Sequence, residues 1–457
     1  MLARQFHTLL EEGWQDVFAQ GRTHRRAVEH ALAFPCALGR RTISQTICTL
    51  GRDQQDWSAD YKIFSRSPWQ ADRLFDPVFR DYLKRYPQGP ITMAVDDSKL
   101  AKTGKKIPGS FWQRDPMSPP FHVNFLYGLR FIQCALLFPH HQDGDFPTRS
   151  LPVRFREAPA VKKPGKRASE AERRAYRQET KKHNLSQQTI QLLKEVRATL
   201  NAAGAGDRML WVAMDGSCCN RTFFRAAYER IQLIARCRKD ARLCFPAPPG
   251  SRRKYALERF TPEQVRQETS IPWKRASIYF GGKRRRIRYK EVSGVLWKRG
   301  GGRRPLHLIV IAPQPYRISP HARTNYRQPA YLLCTDRESA ARRLIQTYFD
   351  RWQIEVNHRD EKAILGVGQA QVWSDKAVPR HPAFAVAVYS LLNLAALRCF
   401  GPGRTKAYLP LPKWRGKSRR PSLLDLLHLL RQEINETSVS EFVHLTIAAN
   451  RPIHAYG

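Results

Sequence analysis

The sequence predicts an α/β protein, with a mixed-sheet core interrupted by a β-rich insertion and flanked by helical regions. Three observations predict it. Apolar residues recur at helical spacing through residues 1–88, and short apolar runs take over from Ile91. A stretch rich in Arg, Gly and Pro, 239–325, then holds only brief β-type runs. A length of 457 residues suggests about three domains. An apolar fraction of 42% is enough for sizeable cores and excludes a disordered chain.

In chain order, "RRAVEHALAFPCAL", "RRTISQTICTL" and "ADRLFDPVFRDYLKRY" read as helices, broken at Pro35, Gly51 and Pro68. "ITMAVDD" reads as a short strand ending in Asp96 and Asp97, and "FHVNFLYGLRFIQCALLF" as two strands turning near Gly128. Residues 154–184 carry many charges and few apolar side chains, and read as a basic loop or solvated helix. "LSQQTIQLLKEVRATLNAA" is an amphipathic helix, followed by the strand "RMLWVAMDGS". Inside the insertion, "ASIYF", "RIRYKEVSGVLW" and "LHLIVIA" are strand candidates. A last strand, "AYLLCTD", leads into a helix through "YFDRWQIEVNHRDEK". "AFAVAVYSLLNLAALRCF" is apolar enough to raise the question of a membrane span. It contains Ser390 and Asn393 and stands alone, so a buried core helix is expected and no membrane.

Charge limits the partners. Lys and Arg number 79 against 39 Asp and Glu, giving +40, and such self-repulsion calls for a polyanion. Ten tryptophans set the chain apart from small basic structural proteins, which leaves nucleic acid as the expected partner. Nine scattered cysteines with no C-x-x-C pair argue against a zinc site or a disulfide framework, and fit a reducing cytoplasm. The N-terminal "MLARQFHTLLEEGW" has no signal-peptide core.

Acidic residues stand at three points in this order: Asp96 and Asp97, Asp215, and Glu355. Strand ends can aim distant residues into one crevice, where clustered carboxylates repel unless a hard cation joins them. Two Mg²⁺ ions in such a place clamp the oxygens of a phosphoryl transfer. In the last helix, Tyr348, Arg351, Glu355 and Lys362 fall within an arc of about 60°, with Arg359 beside it. A solvated salt-bridge face, Arg351–Glu355–Arg359, is the simplest account of that arc. It leaves Tyr348, the adjacent Trp352 and the upstream aspartates unexplained, whereas phosphate recognition beside a metal accounts for them.

The pattern Y-x₂-R-x₃-E-x₆-K at Tyr348, Arg351, Glu355 and Lys362 resembles the signature of a group of bacterial insertion-sequence DDE transposases. "AVDDSKLAKTGKK" and "VAMDGSCCN" resemble that family's first and second aspartate blocks, with Ser98 in place of the usual Thr. The resemblance covers roughly 91–135 and 205–400 and implies an RNase H-like core. The expected division is then a DNA-binding helical domain 1–88, core parts 89–238 and 326–400, the insertion 239–325, and a helical region 401–457.

The resemblance further implies a metal-binding triad of Asp97, Asp215 and Glu355, with Asp96 as the alternative to Asp97. Its cofactor would be Mg²⁺ or Mn²⁺, two ions per site, and its reaction cleavage of transposon ends followed by strand transfer of the 3′-OH. Tyr348, Arg351 and Lys362 would meet end phosphates, with Trp352, Arg359, Lys102 and Lys105 as further DNA contacts. The partners are double-stranded DNA and a second copy in a synaptic homodimer, in a bacterial cytoplasm near the nucleoid. A tryptophan of the insertion, Trp273 or Trp297, could stack on a flipped base, although a core or surface role is expected for both. "AKTGKK" lacks the first glycine and the Ser/Thr of a P-loop, so an ATPase is not supported. Cys218–Cys219 are expected to be buried and inert, and His358 to lie at the surface. The rival functions are a nuclease without strand transfer and a non-catalytic DNA-binding derivative of a transposase.

Overall fold

The computed structural model describes residues 1–436 except 116, 120, 143, 320 and 415–417. Five helices open the chain: α1 (Leu2–Trp14), α2 (Gly21–Cys36), α3 (Ile43–Thr49), α4 (Ser58–Ser65) and α5 (Asp76–Arg85). The expected breaks hold. Helix α2 ends one residue past Pro35, and Gly51 follows α3 at φ +66°, where a glycine carries no Cβ penalty. Thr42 caps the start of α3 by accepting from the backbone N–H of Gln45.

The sheet begins with β1 (Ile91–Ala101), β2 (Phe111–Arg114), β3 (Phe125–Phe138) and β4 (Arg149–Glu157). Helices α6 (Glu170–Lys182) and α7 (Leu185–Leu200) follow, then β5 (Leu210–Met214), α8 (Arg221–Arg225) and β6 (Ile231–Arg236). The strands β4–β3–β1–β5–β6 lie in that order. β1 is antiparallel to β3 and parallel to β5, and β5 is parallel to β6, an arrangement consistent with the RNase H-like core.

Next come α9 (Pro262–Gln267), β7 (Lys274–Phe280), β8 (Lys283–Leu296), β9 (Pro305–Ile311), a small hairpin of β10 (Pro315–Tyr316) and β11 (Asn325–Tyr326), and β12 (Ala330–Cys334). The chain closes with α10 (Ala341–Asp350), α11 (Gln353–Arg359), α12 (Ala377–Phe400) and α13 (Leu423–Glu436). The end of the expected C-terminal region, 437–457, lies outside the described residues.

Several expectations need correction. The stretch 239–325 is not a separate β body, because β12 pairs antiparallel with both β6 and β9. Through β9, β8 and β7 the "insertion" lengthens the central sheet to ten strands. Residues 1–88 likewise have no core of their own. One apolar cluster runs from Leu2 to Ile434 and joins these helices to α12.

β3 is one strand, not two. A Cβ on Gly128 would lie 2.1 Å from the carbonyl oxygen of Leu100, so this glycine marks close strand approach rather than a turn. β1 also runs on past Asp97, which pairs with Ile132, so both aspartates lie within the strand rather than at its end. The segment 154–184 divides: β4 takes its start, and α6 is the solvated helix, with no buried residue.

Helix α12 is apolar around its whole circumference and is buried as expected, with 83% of its most apolar window inside the protein. Two of its polar side chains are paired there. Ser390 donates to the carbonyl of Pro152, and Asn393 accepts from Arg149 at 2.8 Å.

Candidate active site

Strand alternation decides which aspartate faces what. Ala94 packs with Ala135, Leu137 and Ile354, so its face of β1 is the one covered by α11. Asp96 is two residues on and shares that face; Asp97 points to the other. β5 runs parallel with Met214 opposite Val95, so the next position, Asp215, falls beside Asp96 on the same face. Asp215 keeps an extended backbone at the head of the short turn Gly216–Cys218, where its backbone carbonyl, not its carboxylate, accepts from the N–H of Cys218 at 3.1 Å.

Glu355 is half-buried on α11, above this face. Asp96 feels it directly. Burial pushes the Asp96 carboxyl up to about 6; the His358 ring opposes that shift, and the Glu355 and Asp97 charges add to it. The backbone N–H of Asp97 donates to Asp96 Oδ1 at 2.8 Å. Asp97 has a different neighbour: Arg130 Nε donates to its Oδ2 at 2.8 Å. The structure therefore brings Asp96, Asp215 and Glu355 to one face and leaves the expected Asp97 out, neutralised by Arg130.

Arg351 is buried at the middle of this group, with Nη1 3.4 Å from Glu355 Oε1. Burial opposes its charge, but Tyr348, Asp215, Asp96 and Glu355 together hold the guanidinium above its ordinary value. It also lies 5.7 Å from the centre of the Tyr348 ring. Burial pushes the Tyr348 phenol up, against the pull of Arg351.

The expected single helical arc is broken. α10 stops at Asp350, a turn spans Arg351 and Trp352, and a wider π-turn, Asp360–Ile364, follows α11. Tyr348 is half-buried and Arg351 buried, while Trp352, Arg359 and Lys362 reach solvent. Arg359 is held by Asp360, at 2.8 Å from Nη2 to Oδ1.

Two placements differ from expectation. His358 is buried, not at the surface, with Nε2 3.9 Å from Asp96 Oδ2 and Nδ1 3.6 Å from Glu361 Oε2. Glu361, 1% exposed, accepts from Gln133 Nε2 at 3.0 Å. These polar neighbours on the site face lay in sequence only as an unremarkable H-x-x-E spacing on a helix. Lys102 is not free to meet DNA. It is buried, and its amine donates to the carbonyls of Gly368 (2.7 Å) and Ala370 (2.6 Å), which ties the loop after α11 down onto β1. Lys105 remains exposed.

The remaining candidates settle into packing roles. Trp297 meets Phe224 edge-on at 5.5 Å, and Lys290 covers Trp273 at 4.9 Å. Burial pushes the thiols of Cys218 and Cys219 up to about 12, which keeps them protonated and unreactive.

The donors on the site face suit a hard divalent cation: three carboxylates, one of them raised by burial and by a like charge. Among the described residues no three of His, Cys, Asp or Glu stand close enough to form a metal cage, so the acids converge on a region rather than on one point. Residues 17–304, more than half of the chain, match the family described as DDE superfamily endonuclease. The matched span includes Asp96 and Asp215 and ends before Glu355. No curated protein matches the sequence.

Proposed function

Since the chain belongs to the DDE superfamily of endonucleases, we propose that it is a transposase: it cuts transposon-end DNA and joins the freed 3′-OH to target DNA. Asp96, Asp215 and Glu355 are its working carboxylates, with Asp96 in the place first expected of Asp97. The observation that carries this reading is the shared face, where β1 and β5 set two aspartates side by side under the glutamate of α11.

Mg²⁺ or Mn²⁺ held by these three acids would supply activation of the attacking oxygen and stabilisation of the leaving oxygen. The chain's own residues do the rest. Arg351 keeps the acids from repelling one another and orients Glu355 at 3.4 Å. Lys362, Lys105, Trp352 and Arg359 lie exposed and offer cations and a ring to the DNA backbone and sugars. A homodimer is expected because two ends must be synapsed, and the net charge of +40 favours the DNA that both copies hold.

The test is incubation of the protein with labelled end DNA, its flank and Mg²⁺, with nicked, hairpinned and joined products resolved by size. Joined products are expected. Nicks without joining would make the protein a nuclease of the same family, and no cutting with intact binding would make it a DNA-binding derivative.

A further inference from the structure

Strands β2 and β3 continue past the end of β1 as a hairpin, and its surface is unusually apolar. Trp112 (67%), Met117 (84%), Phe121 (90%) and Phe125 (64%) are all exposed, within fourteen residues of sequence. A soluble protein keeps such a patch for a partner. Folding needs do not explain it: the hairpin's backbone is paired from Phe111–Gly128 to Arg114–Phe125, and the N–H of Asp115 donates to the carbonyl of Asn124.

Register says which way the patch looks. Along β3, Gln133 is opposite Asp96 and bonds Glu361 beneath α11. Tyr127 and Phe125 are even numbers of residues away and so share that face; Trp112 and Arg114, their partners in β2, share it too. From the Asp96–Gln133 pair to Tyr127 is six residues, roughly 20 Å of strand, or about six nucleotides of a DNA strand.

We propose that this hairpin is a stacking surface for unpaired bases of the DNA substrate, several nucleotides from the cut. The inference rests on the DNA-cleaving reading above and extends it to a part of the chain with no catalytic group. Two observations name the occupant. The hairpin continues the carboxylate-bearing face, along which the substrate must run. Its apolar rings are also bordered by cations, Arg114 on the hairpin and Lys105 on the neighbouring loop, which suit a phosphate backbone. Rings bordered by cations are how proteins hold single-stranded nucleic acid, because every unpaired base offers a flat face. A paired duplex hides those faces, so the rings call for a strand that is open at this distance.

The test compares full-length protein with a Trp112→Ala/Phe125→Ala variant, both positions being exposed enough for the fold to survive. Each is bound to the same cleavage substrate as a perfect duplex and with four mismatched pairs placed about six nucleotides from the cut. Wild type is expected to prefer the mismatched DNA by roughly tenfold or more, and the variant to lose that preference. A wild type that cuts DNA but shows no preference overturns the hairpin's role alone. So does a variant that keeps the preference. If the variant keeps the preference and instead falls from dimer to monomer by light scattering, the patch belongs to a second copy. A wild type that neither binds nor cuts DNA overturns the proposed function and this inference together.

Discussion

On one face of β1, Asp96 looks toward Asp215, Glu355 and His358; on the other, Asp97 is closed off by a 2.8 Å bond from Arg130. The two residues are adjacent in sequence and identical in type, yet their surroundings differ in kind. Asp97 has its own cation and has its charge answered within the fold. Asp96 sits among like charges, with burial raising its carboxyl to about 6. Three acids grouped around one buried arginine, with one carboxyl still raised, fit the chemistry proposed for the first face, whereas the single Asp97–Arg130 pair fits packing.

The sharpest way to break that contrast is to remove each charge in turn. Asp96→Asn is expected to lower divalent-metal-dependent DNA cleavage by ~10³-fold or more, because several kcal/mol of transition-state stabilisation depend on the carboxylate. Asp97→Asn should leave cleavage within about tenfold and cost on the order of 1 kcal/mol of stability through the loss of the Arg130 pair. Gel assays of cleavage with thermal melts of the same two proteins decide it; a reversed order would return the site to Asp97.

A smaller effect tests how the active face is held. Lys102→Met keeps the aliphatic stem but removes both carbonyl bonds, and should cost about 1–3 kcal/mol at pH 7. It should also change the pH dependence. Burial lowers the Lys102 ammonium from 10.5 to about 8 in the folded chain. Between about pH 8 and 10.5 the folded state gives up a proton that the unfolded chain keeps, so stability rises across that window. Denaturant melts at the two ends of the window should show this rise in wild type and not in the variant.

The smallest effect concerns the exposed cations. Lys362→Ala is expected to weaken DNA binding and make log K less steep in log salt by about one unit, as for one lost phosphate contact. Arg359→Ala should change the slope less, since Asp360 already holds that guanidinium. Equal slopes in wild type and Lys362→Ala would remove Lys362 from the interface.

The same contrast explains what could be read in the sequence. Helical spacing and the breaks at Pro35 and Gly51 are local signals, and they marked the N-terminal helices and the buried α12 correctly. The three acidic positions were legible as well. Choosing between Asp96 and Asp97 was not, because the choice turns on which face of β1 meets α11, and only pairing across distant strands sets that. Gly128 misled for a related reason, since its need for no Cβ comes from Leu100 on another strand. Lys102 sits in a run of cations typical of surfaces, and the two carbonyls that bury it come from residues 368 and 370. His358 was expected at the surface and Glu361 went unread, because the break between α10 and α11 and the π-turn that begins at Asp360 upset the single helical arc.

Helix α12 has a consequence for how the chain is made. The helices of residues 2–85 share one apolar cluster with Ala377–Phe400, a segment synthesised some three hundred residues later. Until that segment leaves the ribosome, the first helices lack a partner that α1, α2, α4 and α5 share. Folding therefore waits on contacts of very long sequence separation, which are slow to form. A chain cut short before α12 would leave those faces open to aggregation, and it would fail as a whole rather than leave a working N-terminal half.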